Sequence, residues 1–120
     1  MAKIDYLNYD ENVDHLTIYK AKEKIINSTN LGNVILSFNK KKEIVGIEFM
    51  GVHEDYEVPL DVLNHLKGCK LKIIYNPDRK YLSIAVLLRY EGKHTSPLSF
   101  TSPMDLGKNP VNETIAYSEA

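Results

Sequence analysis

The sequence has little cysteine, no excess of either charge and no long apolar run, and each shortage removes a class of protein. A single cysteine, Cys69, in 120 residues excludes an internal disulfide and any cysteine-based zinc cage. Fifteen basic against sixteen acidic side chains leave a net charge of −1, which takes away the simplest argument for a nucleic-acid binder. The longest mainly apolar stretch, residues 82–88, is far short of a membrane span. The opening MAKIDYLNYD has no apolar core of the length a signal peptide needs. A soluble, cytoplasmic chain with no membrane partner is therefore expected.

What is there is ordinary globular material, 43% hydrophobic and 26% charged in 13.7 kDa. That mass suits a single domain over residues 1–120, because two independent cores of half this size would each be marginal. Two-residue alternation dominates the first fifty residues. It predicts strands over 3–9, 15–20, 23–29, 34–38 and 44–50, separated by the DENVD turn at 10–14, the Asn30-Leu31-Gly32-Asn33 turn and a Lys-rich connection at 39–43. The period then changes. Residues 58–68 have Pro59 where a helix starts, Gly68 just past its end, and Leu60, Leu63 and Leu66 along one stripe, which predicts a helix over about 59–67. Strands return over 69–75 and 81–89 around Asn76-Pro77-Asp78-Arg79. The second, apolar on both faces, reads as central and doubly covered. The chain turns at 91–93, 98–101 can pair back, and 111–117 can add a last strand beyond Pro103, Gly107 and Pro110.

The fold class is thus α+β and mostly β: an antiparallel meander, one short helix and a second hairpin. Such a sheet has more apolar face than a nine-residue helix can cover, so two packed layers or a dimer-completed sheet is expected. The two hairpins also echo one another. Setting Tyr9-Asp10 on Tyr75-Asn76 places Leu16, Thr17 and Ile18 opposite Leu82, Ser83 and Ile84. The pattern fits a duplication, and equally two unrelated hairpins with turns of one length.

Tyr9-Asp10, the Leu16-Thr17-Ile18 strand and the run Ile44-Val45-Gly46-Ile47-Glu48-Phe49 resemble the domain of unknown function 2283 family of small prokaryotic proteins. The likeness covers about residues 4–55. It departs at Thr17, where the family commonly has an aromatic residue, and at the connection over Lys40 to Glu43, which lacks the family's usual Asp and Gly turn. The resemblance implies a fold and no catalytic residues. Members are often encoded beside small toxin-like proteins, which implies an antitoxin-like, partner-neutralising role.

Three groups of side chains are candidates for chemistry. Asp10, Asp14 and Glu48 would serve acid–base catalysis or hold a hard cation if the fold brought them together; otherwise Glu48 is an exposed residue on a solvated sheet face. Lys20, Lys22 and Lys24, with Lys40, Lys41 and Lys42, form a basic surface able to meet nucleic acid if they merge with tyrosines; alternating Lys also guards a sheet edge, and the balanced net charge favours that reading. His15, His53, His65 and His94 have no metal-ligand spacing, and Cys69 lies in an apolar strand where it behaves as a small buried hydrophobe. No cofactor or metal is implied. The reading this favours is a non-enzymatic interaction module, self-associating as a homodimer, with a small toxin-like protein as a further partner. The alternatives are a small-ligand or metal-dependent enzyme using the three carboxylates, and a nucleic-acid accessory protein.

Overall fold

In a computed structural model of the chain, the described residues are 6–20, 22–91, 93–94 and 98–118. The beginning of the first predicted strand, at 3–5, and Gly92 of the 91–93 turn lie outside them. The chain divides into two compact units, Met1–Leu66 and Lys67–Ala120.

The first unit is a five-stranded antiparallel sheet of β1 (Tyr6–Asp10), β2 (His15–Tyr19), β3 (Asn27–Asn30), β4 (Val34–Phe38) and β5 (Ile44–Met50). The strand order is β1-β2-β5-β4-β3. β3, β4 and β5 run as the expected meander. The link from β2 to β3 carries the chain to the far edge, so that β5 closes on β2 in a Greek-key arrangement. Alternation fixes the register. Leu16 pairs with Phe49 and Ile18 with Ile47, and all four are at most 2% exposed. A slip of one residue would turn these side chains to the solvated face. The β4–β5 register is irregular between Ser37 and Phe38, opposite Gly46. A Cβ on Gly46 would lie 3.1 Å from Tyr19 Cβ and 3.3 Å from Ser37 Cβ, so glycine admits a close approach of three strands. The strand predicted from residue 23 begins only at Asn27, which leaves Ile25 and Ile26 as an exposed lead-in.

The helix expected over about 59–67 is a single turn, α1 (Leu60–Leu63). Pro59 precedes it as expected, but no side chain caps its start, and only Leu63 of the turn is buried. So short a helix has little stability of its own. From Leu66 onward the alternating sequence LKGCKLKIIYN joins an eleven-residue strand instead, and Gly68, read as the helix stop, lies inside that strand.

The second unit is another antiparallel sheet: β6 (Leu66–Asn76), β7 (Tyr81–Tyr90), β8 (Lys93–His94), β9 (Leu98–Pro103) and β10 (Val111–Ser118). The order is β10-β6-β7-β8, with β9 also pairing β7. β7 is central, as expected, but not doubly covered. Leu82, Ile84, Val86 and Leu88 are at most 2% exposed, whereas Ser83, Ala85, Leu87 and Arg89 remain half-buried on the other face. The apolar face of each sheet is buried within one copy of the chain. Among the described residues, the surplus of apolar sheet surface that argued for a second protomer is therefore absent, and any case for self-association has to rest on other features.

Candidate functional site

The side chains singled out by sequence collect at opposite ends of the first sheet. One end is organised by Asp14, which closes the β1–β2 turn at φ 57, a left-handed conformation that Asp tolerates better than most residues. Its carbonyl accepts the amides of Gly51 (2.9 Å) and Val52 (3.3 Å). Its carboxylate accepts the Tyr9 hydroxyl (2.5 Å) and the amides of His53 (2.9 Å) and Glu54 (3.0 Å). One aspartate thus ties the hairpin to the loop after β5. Burial alone would raise the Asp14 carboxyl, but the Tyr9 hydroxyl, the two amides and nearby His53 outweigh it and hold it below the ordinary carboxylate value. Burial first, then the bond to Asp14 and the charges of Asp14, Glu11 and Asp10, push the Tyr9 hydroxyl far above its ordinary value. Tyr56 packs edge-on to Phe49 at 5.8 Å and is raised by burial and by Asp55.

Asp10 shares this end but serves its own turn, accepting the amide of Asn12 at 3.0 Å. The Asn64 amide donates to Glu11 at 2.9 Å, and Asn33 donates to Asp55 at 3.3 Å. The segments that meet here, 10–15 and 50–65, contain seven carboxylates and no Lys or Arg. Val13, 53% exposed, lies in the β1–β2 turn among them.

Glu48 belongs to a different neighbourhood. It projects from the solvated face of β5, opposite Thr17, and its Oε1 lies 2.8 Å from His15 Nδ1. Glu48 and His15 are each about 30% exposed, at 30% and 31%. Tyr6 stacks on Tyr19 at 4.3 Å on the same face. The three candidate carboxylates therefore have three separate sets of partners: Asn12 for Asp10, the 51–54 loop and Tyr9 for Asp14, and His15 for Glu48. Sequence reasoning missed Tyr9 and His15 as partners. Tyr9 is five residues from Asp14, and His15 meets Glu48 diagonally across a pairing that strand order alone reveals. Among the described residues, no three His, Cys, Asp or Glu side chains converge as metal ligands.

The other end carries the lysines. Asn39 holds it: its amide donates to Glu43 (3.0 Å) and Glu23 (3.3 Å), and its oxygen accepts the amides of Lys41 and Glu43 at 3.0 Å each. Lys24, Lys40 and Lys41 border an open hollow of about 320 Å³ together with Ile26. One lysine of the first run, Lys24, thus meets Lys40 and Lys41 of the second, around an aliphatic side chain and two glutamates rather than tyrosines. Ile25 and Ile26 are 45% and 56% exposed there. Lys42 takes φ 63 in the β4–β5 connection, the position where a glycine would be unstrained.

In the second unit Cys69 is buried, and burial pushes its thiol up to about 12, so it behaves as an inert core residue. His53 Nδ1 lies 2.7 Å from the Val58 carbonyl oxygen, and His65 Nδ1 lies 3.4 Å from Asp61 Oδ1. The side chain of His94 is outside the described residues.

The class this defines is a mostly β protein of two antiparallel sheets, the first with its charges sorted to opposite ends. Residues 7–52 match the model of a family described as "Protein of unknown function (DUF2283)". The resemblance carried by the Tyr9-Asp10 hairpin and the Gly46-Ile47-Glu48 run thus holds over the five strands of the first sheet, and residues 53–120 lie outside the match. No curated protein and no solved structure matches the chain.

Proposed function

We propose that the chain is a non-enzymatic protein-interaction module that associates with further copies of itself. What carries this reading is the placement of Val13, Ile25 and Ile26. They are the large aliphatic side chains most exposed among the described residues, at 53%, 45% and 56%, and they stand at the two ends of the first sheet, each beside charges of predominantly one sign. Apolar side chains rimmed by charge are the ordinary composition of a contact surface. The polar groups that would otherwise suggest catalysis are occupied: Asp14 anchors two loops, Asp10 closes its turn, and Glu48 holds His15.

The test is the mass of the full chain in solution by sedimentation or light scattering over a range of concentrations. The reading expects two or more protomers. A species of 13.7 kDa at every concentration would overturn it.

A further inference from the structure

We infer, on the basis of that reading, that the lysine-bearing end of the first unit is a docking site for the acidic end of a second copy, so that copies join through unlike ends. Four observations converge on it. The acidic end gathers seven carboxylates in segments with no Lys or Arg. The opposite end has six lysines, Lys20, Lys22, Lys24 and Lys40 to Lys42, against Glu23 and Glu43. Those two glutamates are taken up by the Asn39 amide, whereas among the described residues no ion pair engages Lys22, Lys24, Lys40, Lys41 or Lys42. Each end also offers an apolar element: Val13 in the acidic turn, and Ile25 and Ile26 beside the hollow.

Gathering like charges at both ends works against the isolated fold, since each set repels itself. Beyond the turn and loop bonds that Asp10, Glu11, Asp14 and Asp55 accept, the segregation is unfavourable within one molecule and becomes favourable when unlike ends meet. A contact between two like ends would set acid against acid or lysine against lysine. The apposition that satisfies the charges places the acidic turn, Val13 included, over Ile26, Lys24, Lys40 and Lys41. Such a contact pairs two different patches, and the rotation between copies decides whether it closes into a small ring or runs on.

The experiment is sedimentation of the full chain at low and high salt, with variants of each end. Screening shortens from about 30 Å at 0.01 M to about 3 Å at 1 M ionic strength, so the mean mass should fall toward 13.7 kDa as salt rises. A basic-end reversal (K24E, K40E and K41E together) and an acidic-end reversal (E11K, E54K and E57K together) should each weaken association by at least about tenfold. Mixing the two variants should restore it, because every end then meets its opposite. Circular dichroism checks that both variants fold; should either triple variant fail, K40E and E54K alone give the same pattern with smaller shifts. Association that ignores salt and both reversals would overturn this contact and leave the self-association reading standing. A monomer at all concentrations and salts would overturn both. A monomer that instead sediments with anionic lipid vesicles, and loses them on basic-end reversal, would reassign the lysines to a membrane surface.

Discussion

In the first unit the β1–β2 hairpin turns through 11–14, closes on Asp14 at φ 57, and passes the Asp14 carbonyl to the amide of Gly51 at 2.9 Å. In the second, the β6–β7 hairpin turns through 77–80, closes on Lys80 at φ 49, and passes the Lys80 carbonyl to the amide of Met104 at 2.8 Å. Asp10 caps the first turn through Asn12, and Asn76 caps the other through Asp78 and Arg79. In each unit the second strand of the hairpin then takes a later strand on its free side: β5 on β2, and β9 on β7. The shared frame is finished differently. Asp14 collects loop amides with a carboxylate, whereas Lys80 holds out an ammonium to Asp105 at 3.5 Å on the surface. Tyr9 spends its hydroxyl on that carboxylate, whereas buried Tyr75 accepts the amide of Leu106 (2.9 Å) and donates to the Gly107 carbonyl (3.3 Å). The balance of charge diverges as well: seven basic and eleven acidic residues in the first unit, eight and five in the second. One backbone plan therefore supports two ways of fastening a loop, one by charge and one by a buried hydroxyl.

The sharpest way to break the comparison is Asp14→Ala. It removes an acceptor shared by three donors and places alanine at positive φ, so a loss of about 3 kcal/mol in denaturant unfolding is expected. Asp14→Asn keeps tolerance of that φ and an acceptor oxygen, and should lose less. The counterpart Lys80→Ala loses only an exposed ion pair and a little backbone ease, and should fall within about 1 kcal/mol of the parent. Gly51→Ala comes next. Its φ is +71 and an added Cβ would collide with the Asp55 carboxylate, so a loss of about 2 kcal/mol is expected. Gly107→Ala, at φ +97 with nothing within 4 Å of the added Cβ, meets only the backbone penalty and should lose about half as much. Tyr75→Phe should lose about 1 kcal/mol, because the Leu106 amide is left without its acceptor. Equal losses for Asp14→Ala and Lys80→Ala would show that the turn backbone, and not the carboxylate, holds the loop.

The strands were legible because burial on one face imposes a period of two, and β2, β4 and β5 lie where alternation puts them; β7 lies where its continuous apolar run put it, although it is buried on one face only. The helix was legible in place but not in length, because the spacing of Leu60, Leu63 and Leu66 fits a longer helix locally while residues 66–76 gain more by pairing with β7 and β10, which local pattern cannot weigh. Strand order was equally hidden, and with it the diagonal approach of His15 to Glu48. The lysines were visible as two runs, but their meeting was not: Glu23, Lys24 and Ile26 reach Asn39, Lys40 and Lys41 only once the chain has crossed to pair β3 on β4. The turn over Lys40 to Glu43, where the resemblance departs, does acquire a meaning. Lys42 occupies the left-handed position of that turn, so Lys42→Gly should relieve strain and stabilise the fold by about 0.5 kcal/mol, measured as a rise in the urea midpoint.

The smallest expected effects are in the pH profile, which separates the two fastenings. Asp14 is held below its ordinary value in the fold, so its contribution is complete above about pH 4 and is lost as pH falls through the lowered value. Asp105 is lowered too, first by the Gly107 amide and then by Lys80, but it is exposed and shifts the acid limb only weakly. Asp14→Asn should therefore flatten most of the acid limb. On the alkaline side the sign reverses, because burial raises Cys69 of the second unit, and burial with Asp14 raises Tyr9 of the first. The stability tied to Cys69 is complete below its ordinary value of 9.0 and declines as pH climbs toward about 12; that tied to Tyr9 begins to fall only above 10.0. Tyr9→Phe should consequently leave the onset near pH 9 in place and soften the decline above pH 10, with a smaller share remaining from Tyr56. Urea midpoints of the parent, D14N and Y9F chains across the pH range provide the measurement. An unchanged acid limb in D14N would mean that the loop after β5 is held by the Asp14 carbonyl and not by its carboxylate.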